Sequence, residues 1–250
     1  MGQHIAGGGK KGAGAFTDGI VILRYPQFVD LGFVGQQVGA VIAFLAVART
    51  EMILVIGLGA MGSAALYHLA RLGAAPVGIE QFSVGHALGS SGGQSRVFRT
   101  FYQDPLYTRL AEAAIPLWRE LEERAGEAIL TLCGNLFFAR PGNALLAQSL
   151  QTMDAVQSSY ERLTSAEVTA RFPVLRLPAD AEICLIPQSG FLNATLAVQT
   201  HVAQAQRLGA TVHAGVAVHR LDLRGERPVV ETSAGRYSCT RLVVTPGPWA

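Results

Sequence analysis

A glycine-rich turn between two short apolar segments is the feature that most constrains the fold of this chain. Residues 52–56 are all apolar and lead directly into a G-x-G-x-x-G turn at 57–62. Small and apolar residues then recur at helical spacing over 63–72, and residues 75–80 indicate a second buried strand that ends in Glu80. The sequence therefore predicts a βαβ unit, which is typical of an α/β fold with a parallel sheet.

In a nucleotide-binding βαβ unit, each glycine of this turn has a structural role that a larger residue could not fill. Gly57 permits the tight turn out of the strand, Gly59 lets the backbone approach a pyrophosphate, and Gly62 allows the helix to pack closely on the strand. Glu80 ends the second strand, where its carboxylate can accept hydrogen bonds from ribose hydroxyls and would repel a 2′-phosphate. The unit predicts a site for FAD or NAD rather than NADP. A tight turn without a ligand is the alternative interpretation.

A second segment, residues 89–99, is rich in small residues and follows shortly after the acid. It contains Ser91, Ser95, Arg96 and Arg99. Small residues let the chain pass close to a flat ligand, and arginines supply a fixed positive charge that can stabilise a reduced flavin or hold a substrate carboxylate. The alternative is a flexible loop whose arginines pair with surface acids.

The rest of the chain alternates between helical and strand patterns. Helices are predicted over residues 106–124, 144–157, 165–171 and 193–208, and strands over 129–139, 211–213, 216–223, 229–232 and 242–245. Gly134 is interpreted as a bulge within one continuous strand, and Ser165 as the N-cap of its helix.

Most of the remaining histidines, cysteines and tryptophans are interpreted as structural. The histidines at 68, 201, 213 and 219 lack the spacing of metal ligands, and no metal site is predicted. Cys133 and Cys239 are predicted to be buried apolar residues. Trp118 is predicted to lie in the core of its helix.

The composition excludes several classes of protein. Half of the residues are hydrophobic and 15% are charged, which excludes a disordered chain. Twenty basic and 18 acidic residues are too evenly balanced for a nucleic-acid partner. The three cysteines are odd in number and never form a C-x-x-C pair, which argues against disulfides and zinc and favours a reducing, cytoplasmic location.

The first fifth of the chain has a different character. Residues 1–50 include a low-complexity glycine run at 7–12, and residues 31–48 carry no charge, which is long enough to consider a membrane span. Glutamines and glycines interrupt that segment, and no aromatic belt marks its ends. We interpret residues 1–51 as an upstream N-terminal extension that precedes the βαβ unit and does not belong to the same protein family as the rest of the chain. A membrane anchor and a real structural element are the alternatives.

The motifs in combination resemble a known family. The βαβ unit over 53–80, then His86, the Gly-Ser-Ser-Gly at 89–92 and the Ser-Arg-Val-Phe-Arg at 95–99, are similar to the monomeric sarcosine oxidase and N-methyltryptophan oxidase family. That family belongs to the glycine/D-amino-acid oxidase flavoproteins and carries a G-S-x-H-G-x-[ST]-R-x-x-R stretch. The similarity continues at 117–122, 134–136, 187–190 and 244–249. It covers about 52–250, roughly the first half of a family member.

The resemblance implies a cofactor and roles for particular residues. The cofactor is FAD, whose ADP half would be bound by Gly57, Gly59, Gly62 and Glu80, with a backbone contact from Val216 on the adenine side. Along the flavin ring and active site would lie Ser91, Ser95, Arg96 (near the ring), Arg99 (the carboxylate partner) and the segment containing Gly247. Trp249 would flank the flavin or pack against the protein.

The resemblance also implies a reaction. The substrate would be an N-methyl or secondary amino acid, oxidised at its C–N bond to an imine, with oxygen as acceptor and hydrogen peroxide as product. The alternatives are a membrane-associated flavin dehydrogenase that uses an electron carrier, and a nucleotide-binding fragment without catalysis. Where sarcosine oxidases have a histidine before the Gly-x-[ST]-R run, this chain has Gly92, so strict sarcosine specificity is not implied.

The resemblance finally implies a domain arrangement. Residues 52–133 and 193–250 would form an incomplete Rossmann-like FAD-binding domain, and residues 134–192 the beginning of a β-containing substrate domain. The oxygen-activating lysine and flavin-linking cysteine of the family would lie beyond residue 250. We therefore expect a truncated chain with little activity by itself, from a protein that is monomeric at full length.

Overall fold

The computed structural model describes residues 15–17, 20–22 and 52–250. In chain order, the strands are β1 (Ala15–Thr17), β2 (Ile20–Ile22), β3 (Ile53–Ile56), β4 (Val77–Glu80), β5 (Arg96–Phe98), β6 (Leu130–Thr131), β7 (Asn135–Ala139), β8 (Glu161–Leu163), β9 (Glu182–Ile186), β10 (Gly190–Leu192), β11 (Thr211–Ala214), β12 (Val218–Asp222), β13 (Val229–Thr232), β14 (Gly235–Ser238) and β15 (Arg241–Val244). The helices are α1 (Ala60–Arg71), α2 (Pro105–Ala125), α3 (Ala144–Val156), α4 (Ser165–Arg171) and α5 (Ala194–Arg207). A 3₁₀ turn spans Gly247–Trp249.

A six-stranded sheet in the order β1-β2-β15-β3-β4-β11 organises the molecule. All neighbouring pairs are parallel except β1 and β2. Every residue of β3 is buried, as expected for a parallel strand covered on both faces. The predicted α/β fold with a parallel sheet and a βαβ unit is therefore confirmed.

The two faces of this sheet have different coverings. Ile53 and Val55 pack in one core with α1, α2 and α5, and α1 lies against α5. Leu54 and Ile56 point to the opposite face, where they pack with residues of the antiparallel sheet β12-β13-β14. The alternation along β3 follows from the two-residue period of a strand.

There are two further three-stranded antiparallel sheets. The first has the order β5-β10-β6 and contributes Phe98, Leu130 and Leu192 to the same core as Ile53 and Val55, and the other has the order β7-β9-β8. The second packs with α3 and α4 in two smaller apolar clusters. α2 follows β5, leads to β6 of the same sheet and packs against both α3 and α5; its N-cap Asp104 accepts a hydrogen bond from the Leu106 N–H.

The structure corrects three local expectations. Residues 129–139 do not form one bulged strand, because β6 and β7 belong to different sheets and Gly134 between them has φ +82°. Thr164, not Ser165, caps α4, and it forms a reciprocal capping box with Glu167. Cys133 is exposed rather than buried, because it lies in the irregular segment between those two strands.

The N-terminal region is described only at its two short strands. β2 runs parallel to β15 and extends the main sheet beyond it. The glycine run at 7–12 and the uncharged segment 31–48 lie outside the described residues. Within the ranges that are described, no helix combines the length and apolarity needed to cross a membrane.

Candidate functional site

The glycine turn lies between β3 and α1, where the sequence places it. Gly57 has φ +82°, and its N–H donates to the Ile79 carbonyl at 2.8 Å. A Cβ added to Gly57 would lie 2.5 Å from the Thr245 carbonyl oxygen, and one added to Gly62 would lie 1.8 Å from the Gly57 carbonyl oxygen. Both positions therefore exclude a side chain by contact with backbone atoms.

Gly59 is the N-cap of α1 and faces the loop that follows β4. A Cβ at Gly59 would lie 3.0 Å from Ser91 Oγ, which is tight but involves only a side-chain atom. Ser91 Oγ accepts a hydrogen bond of 2.9 Å from the Ala60 N–H. Gly59 contributes no capping side chain, so the start of α1 offers further N–H groups to an anion.

Glu80 ends β4 with its carboxylate buried beside the glycine turn. Oε2 accepts from the Leu58 N–H at 2.8 Å, and Oε1 accepts from the Phe82 N–H at 3.0 Å. The Val216 N–H donates to the Glu80 carbonyl oxygen at 3.0 Å. The structure thus brings together Glu80, Val216 and the turn at the carboxyl ends of parallel strands, which is where ligands bind in open α/β sheets.

The two arginines of the 89–99 segment are held differently. Arg96 Nη2 donates to the carbonyl oxygens of Ser90 at 2.8 Å and Gly92 at 3.3 Å. Its Nε is buried and finds no hydrogen-bond partner among the described residues. Arg99 is exposed, and its guanidinium carbon lies 5.0 Å from the centroid of the Tyr102 ring. Ser95, which lies between Ser91 and Arg96 in the sequence, is also exposed.

Residues 247–249 lie close to the segment that follows β4. Gly247 has φ +64° and begins the 3₁₀ turn. Trp249 is 54% exposed, and its ring meets the edge of the Phe82 ring with centroids 5.4 Å apart. Of the two roles expected for Trp249, packing is observed against Phe82, and the exposed remainder of the ring is available for other contacts.

Sequence reasoning assigned no role to Thr245, which supports the turn from β15. Its hydroxyl lies 2.8 Å from the carbonyl oxygens of both Ile56 and Gly57. Thr245 is buried and 188 residues from Gly57 in sequence. The only sequence signal is its position at the end of a buried strand, in the segment that resembles the family.

His86 is a second residue whose position only the structure shows. Its Nε2 lies 3.3 Å from Glu80 Oε1, and its ring packs edge-on against Phe82 with centroids 4.8 Å apart. The resemblance includes this histidine but suggests no contact for it.

A separate open cavity of about 540 Å³ lies at the start of α2. Its lining residues are Tyr102, Gln103, Asp104, Pro105, Tyr107 and Gln148. It adjoins Arg99 through the ring of Tyr102, whose hydroxyl is buried with no hydrogen-bond partner in the part of the chain described. None of its lining residues belongs to the glycine turn.

The buried His201 and the partly buried His68 belong to an aromatic cluster in the core rather than to the site. The ring centroid of His201 lies 5.5 Å from that of Tyr67, 5.2 Å from that of Trp118 and 6.4 Å from that of His68. Burial lowers the pKa of His68 to about 4 and that of His201 to about 3. Over the described ranges, no group of three histidine, cysteine or acidic side chains could hold a metal ion.

The donor set fits a dinucleotide such as FAD. A tight glycine turn without side chains, a helix start with available N–H groups and a buried carboxylate that accepts from the turn lie together in the fold. The first two suit a pyrophosphate and the carboxylate suits ribose hydroxyls.

Comparisons with known proteins agree with this geometry. The sequence profile of the family described as "FAD dependent oxidoreductase" matches residues 52–250. The chain is 34% identical to the monomeric sarcosine oxidase of Streptomyces avermitilis over 203 residues, which cover 80% of the chain and 53% of that protein. It is 30% identical to the N-methyl-L-tryptophan oxidase of Yersinia pestis, covering 79% of the chain and 53% of that protein.

Solved structures show the same relationship. The structure of NikD, described as an unusual amino acid oxidase essential for nikkomycin biosynthesis, matches with a TM-score of 0.70 and 27% identity, covering 80% of this chain and 53% of that one. The chain spans about half the length of the curated relatives it matches.

Proposed function

Because the chain belongs to the FAD dependent oxidoreductase family, we propose that it is part of an FAD-dependent oxidase of N-methyl or secondary amino acids. The observation that carries the proposal is the arrangement of the glycine turn, Glu80 and Ser91 at the carboxyl ends of β3 and β4. The relatives named for sarcosine and N-methyl-L-tryptophan support the substrate class.

In this proposal, the ADP half of FAD lies against the glycine turn. Gly59 and the first turn of α1 receive the pyrophosphate, and Gly57 and Gly62 allow the close packing of the turn, α1 and Thr245 that positions those N–H groups. Glu80 accepts from the adenosine ribose, and Val216 lies on the adenine side through its backbone contact with Glu80. Ser91, Ser95 and the segment at Gly247 border the rest of the cofactor.

The arginines supply the positive charge that the chemistry needs. When bound, FAD would supply the acceptor for a hydride equivalent from the C–H bond next to the substrate nitrogen; the resulting imine would be hydrolysed by water, and oxygen would be the final acceptor, giving hydrogen peroxide. Arg96 is fixed by two carbonyl oxygens and would favour negative charge on the nearby ring. Arg99 is exposed beside Tyr102 and would pair with the substrate carboxylate.

The domain division and the location belong to the same proposal. Residues 52–133 and 193–250 would form the FAD-binding domain, and 134–192, which hold the sheet β7-β9-β8, the start of a substrate domain. The three cysteines are all free, which supports a reducing, cytoplasmic location. We propose a monomer for the whole protein.

The test is an FAD titration of the full chain and of a Gly59→Ala variant. The added Cβ meets only the Ser91 side chain, so the variant should fold while losing about tenfold or more in FAD affinity, because the methyl group stands between backbone and pyrophosphate. Gly225→Ala is the matched control, since a Cβ there meets nothing closer than 3.8 Å. Equal FAD affinity for all three proteins would contradict the proposed site.

Because the chain spans about half the length of its relatives, the reaction is tested on an FAD-loaded, full-length version of the protein supplied with sarcosine or N-methyl-L-tryptophan. Stoichiometric hydrogen peroxide supports an oxidase. Substrate oxidation that proceeds only with an added electron carrier would instead indicate a dehydrogenase, and FAD binding without substrate oxidation a nucleotide-binding fragment.

A further inference from the structure

His86 occupies a defined place between the acid of the site and the loop that follows it. Its side chain is 16% exposed, and the Glu80 side chain that it faces is 5% exposed. The Nε2 atom lies 3.3 Å from Glu80 Oε1, and Phe82 packs on the imidazole ring. The contact is therefore shielded from water on several sides.

The other ring nitrogen determines which tautomer the histidine adopts. Nδ1 accepts a hydrogen bond of 3.0 Å from the Leu88 N–H, so it carries no proton in this arrangement. The ring proton is then on Nε2, the atom that faces Glu80. The neutral imidazole thus presents a donor to the carboxylate and an acceptor to the backbone at the same time.

This contact changes what the carboxylate can still accept. A carboxylate has about four lone-pair positions, two on each oxygen. Oε1 faces the Phe82 N–H and His86 Nε2, whereas Oε2 accepts only from the Leu58 N–H among the contacts of the described residues. The open acceptor position is therefore on Oε2, the oxygen beside the glycine turn.

The same histidine also anchors the loop that carries Ser91. Its backbone N–H donates to the Ser83 carbonyl oxygen at 3.2 Å, and its side chain holds Leu88. The loop is closely packed at this point, because a Cβ at Gly92 would lie 2.8 Å from Ala87 Cα. Three residues beyond Leu88, Ser91 bonds the start of α1.

We propose that His86 is a positioning residue for the adenosine end of FAD, holding the Glu80 carboxylate so that Oε2 receives a ribose hydroxyl. This rests on the proposed FAD site. The histidine itself touches the acid and the loop, not the cofactor. Its contribution should therefore appear in cofactor affinity and should depend on the ribose hydroxyls.

Two amide substitutions separate the two functions of the ring. In His86→Gln the amide nitrogen can replace the Nε2 donor toward Glu80, whereas in His86→Asn the shorter side chain can replace only the Nδ1 acceptor toward Leu88. His86→Phe removes both but keeps a ring against Phe82. The dissociation constant of each variant is measured for FAD and for an FAD analogue lacking both hydroxyls of the adenosine ribose, using the full chain.

We expect FAD binding to weaken about tenfold in H86N and H86F and by no more than about twofold in H86Q, because only H86Q keeps a donor near the Glu80 carboxylate. The analogue should bind all four proteins equally. If H86F does not fold, the comparison of H86Q with H86N still tests the inference. Equal weakening for FAD and the analogue, wild-type affinity in H86N, or an H86Q variant as weak as H86N would each overturn the inference while leaving the FAD site standing. Failure of the unaltered chain to bind FAD would overturn both.

Discussion

Ser91 Oγ accepts a hydrogen bond from the Ala60 N–H at 2.9 Å, across 31 residues of sequence. The bond fastens the loop after β4 to the first turn of α1. It places a hydroxyl at the helix start, where an anion is also favoured. The bond therefore joins the loop and the glycine turn into one surface.

Ser91→Ala should lower the free energy of unfolding by about 1 kcal/mol, because the Ala60 N–H loses its side-chain acceptor. Ser95→Ala is the matched control, since Ser95 is exposed, and it should change stability by less than about 0.5 kcal/mol. Urea unfolding of both variants without FAD measures the difference. Equal stability of the two variants would show that the Ser91 bond contributes nothing net.

Gly62→Ala should lower the free energy of unfolding far more than an ordinary glycine substitution does. The new Cβ would lie 1.8 Å from the Gly57 carbonyl oxygen and 2.6 Å from Thr245 Oγ1, so the helix and turn must separate. We expect a loss of about 3 kcal/mol or more, as for other overpacked or strained positions. Thermal unfolding compared with Gly225→Ala checks this, and similar melting temperatures would contradict the observed packing.

Thr245→Val should destabilise the turn by about 1–2 kcal/mol while keeping the shape of the side chain. The substitution removes the hydroxyl that lies beside the Ile56 and Gly57 carbonyl oxygens. Thr245→Ser retains the hydroxyl and should recover most of that stability. Denaturant unfolding of the two variants distinguishes them; if serine is as destabilising as valine, the methyl group rather than the hydroxyl matters.

The histidine cluster should make the fold sensitive to acid. The folded pKa values of about 4 for His68 and about 3 for His201 lie below the ordinary value of 6.5, because burial disfavours the charged ring, with Arg71 adding repulsion at His68. The unfolded chain therefore binds protons first, so the stability is complete above pH 6.5 and is lost as the pH falls below it. At pH 5 the loss is about 2 kcal/mol for each histidine.

His201→Leu should reduce this pH dependence by about half, since one of the two titrating groups is removed. The unfolding free energy at pH 7 and pH 5 is the measurement. His219→Gln changes an exposed histidine and serves as the control. An unaltered difference between the two pH values in His201→Leu would exclude this residue as a source of acid sensitivity.

Much of the site's framework could be predicted because its determinants are local. A run of apolar residues, a glycine at φ +82° and a helix start follow one another within a few residues. Backbone sterics and strand burial act on neighbouring residues, so the pattern carries the information itself. The same holds for Glu80, whose position at the end of the next strand follows from the length of the unit.

Two of the three wrong predictions concern residues whose environment depends on distant partners; the third, the N-cap of α4, was wrong by one residue. Residues 129–139 are apolar enough for one strand, but Leu130 pairs with β10 and Asn135 with β9. The chain must therefore pass from one sheet to the other between these two residues. It turns at Gly134, and Cys133 in the connecting segment is exposed. A sequence pattern indicates that a residue is buried, but it does not show which neighbouring strand buries it.

The sequence by itself determined the βαβ unit, the glycine turn and the acid that follows it, because these depend on the order of residues along one stretch of chain. Only the tertiary structure decided that Thr245 supports the turn, that Ser91 bonds the helix start and that His86 faces Glu80. Thr245 reaches the turn because β15 pairs with β3, a choice of neighbour made by the whole sheet. Hydrogen bonds of this kind depend on distances of about 3 Å between atoms that the chain brings together only when it folds.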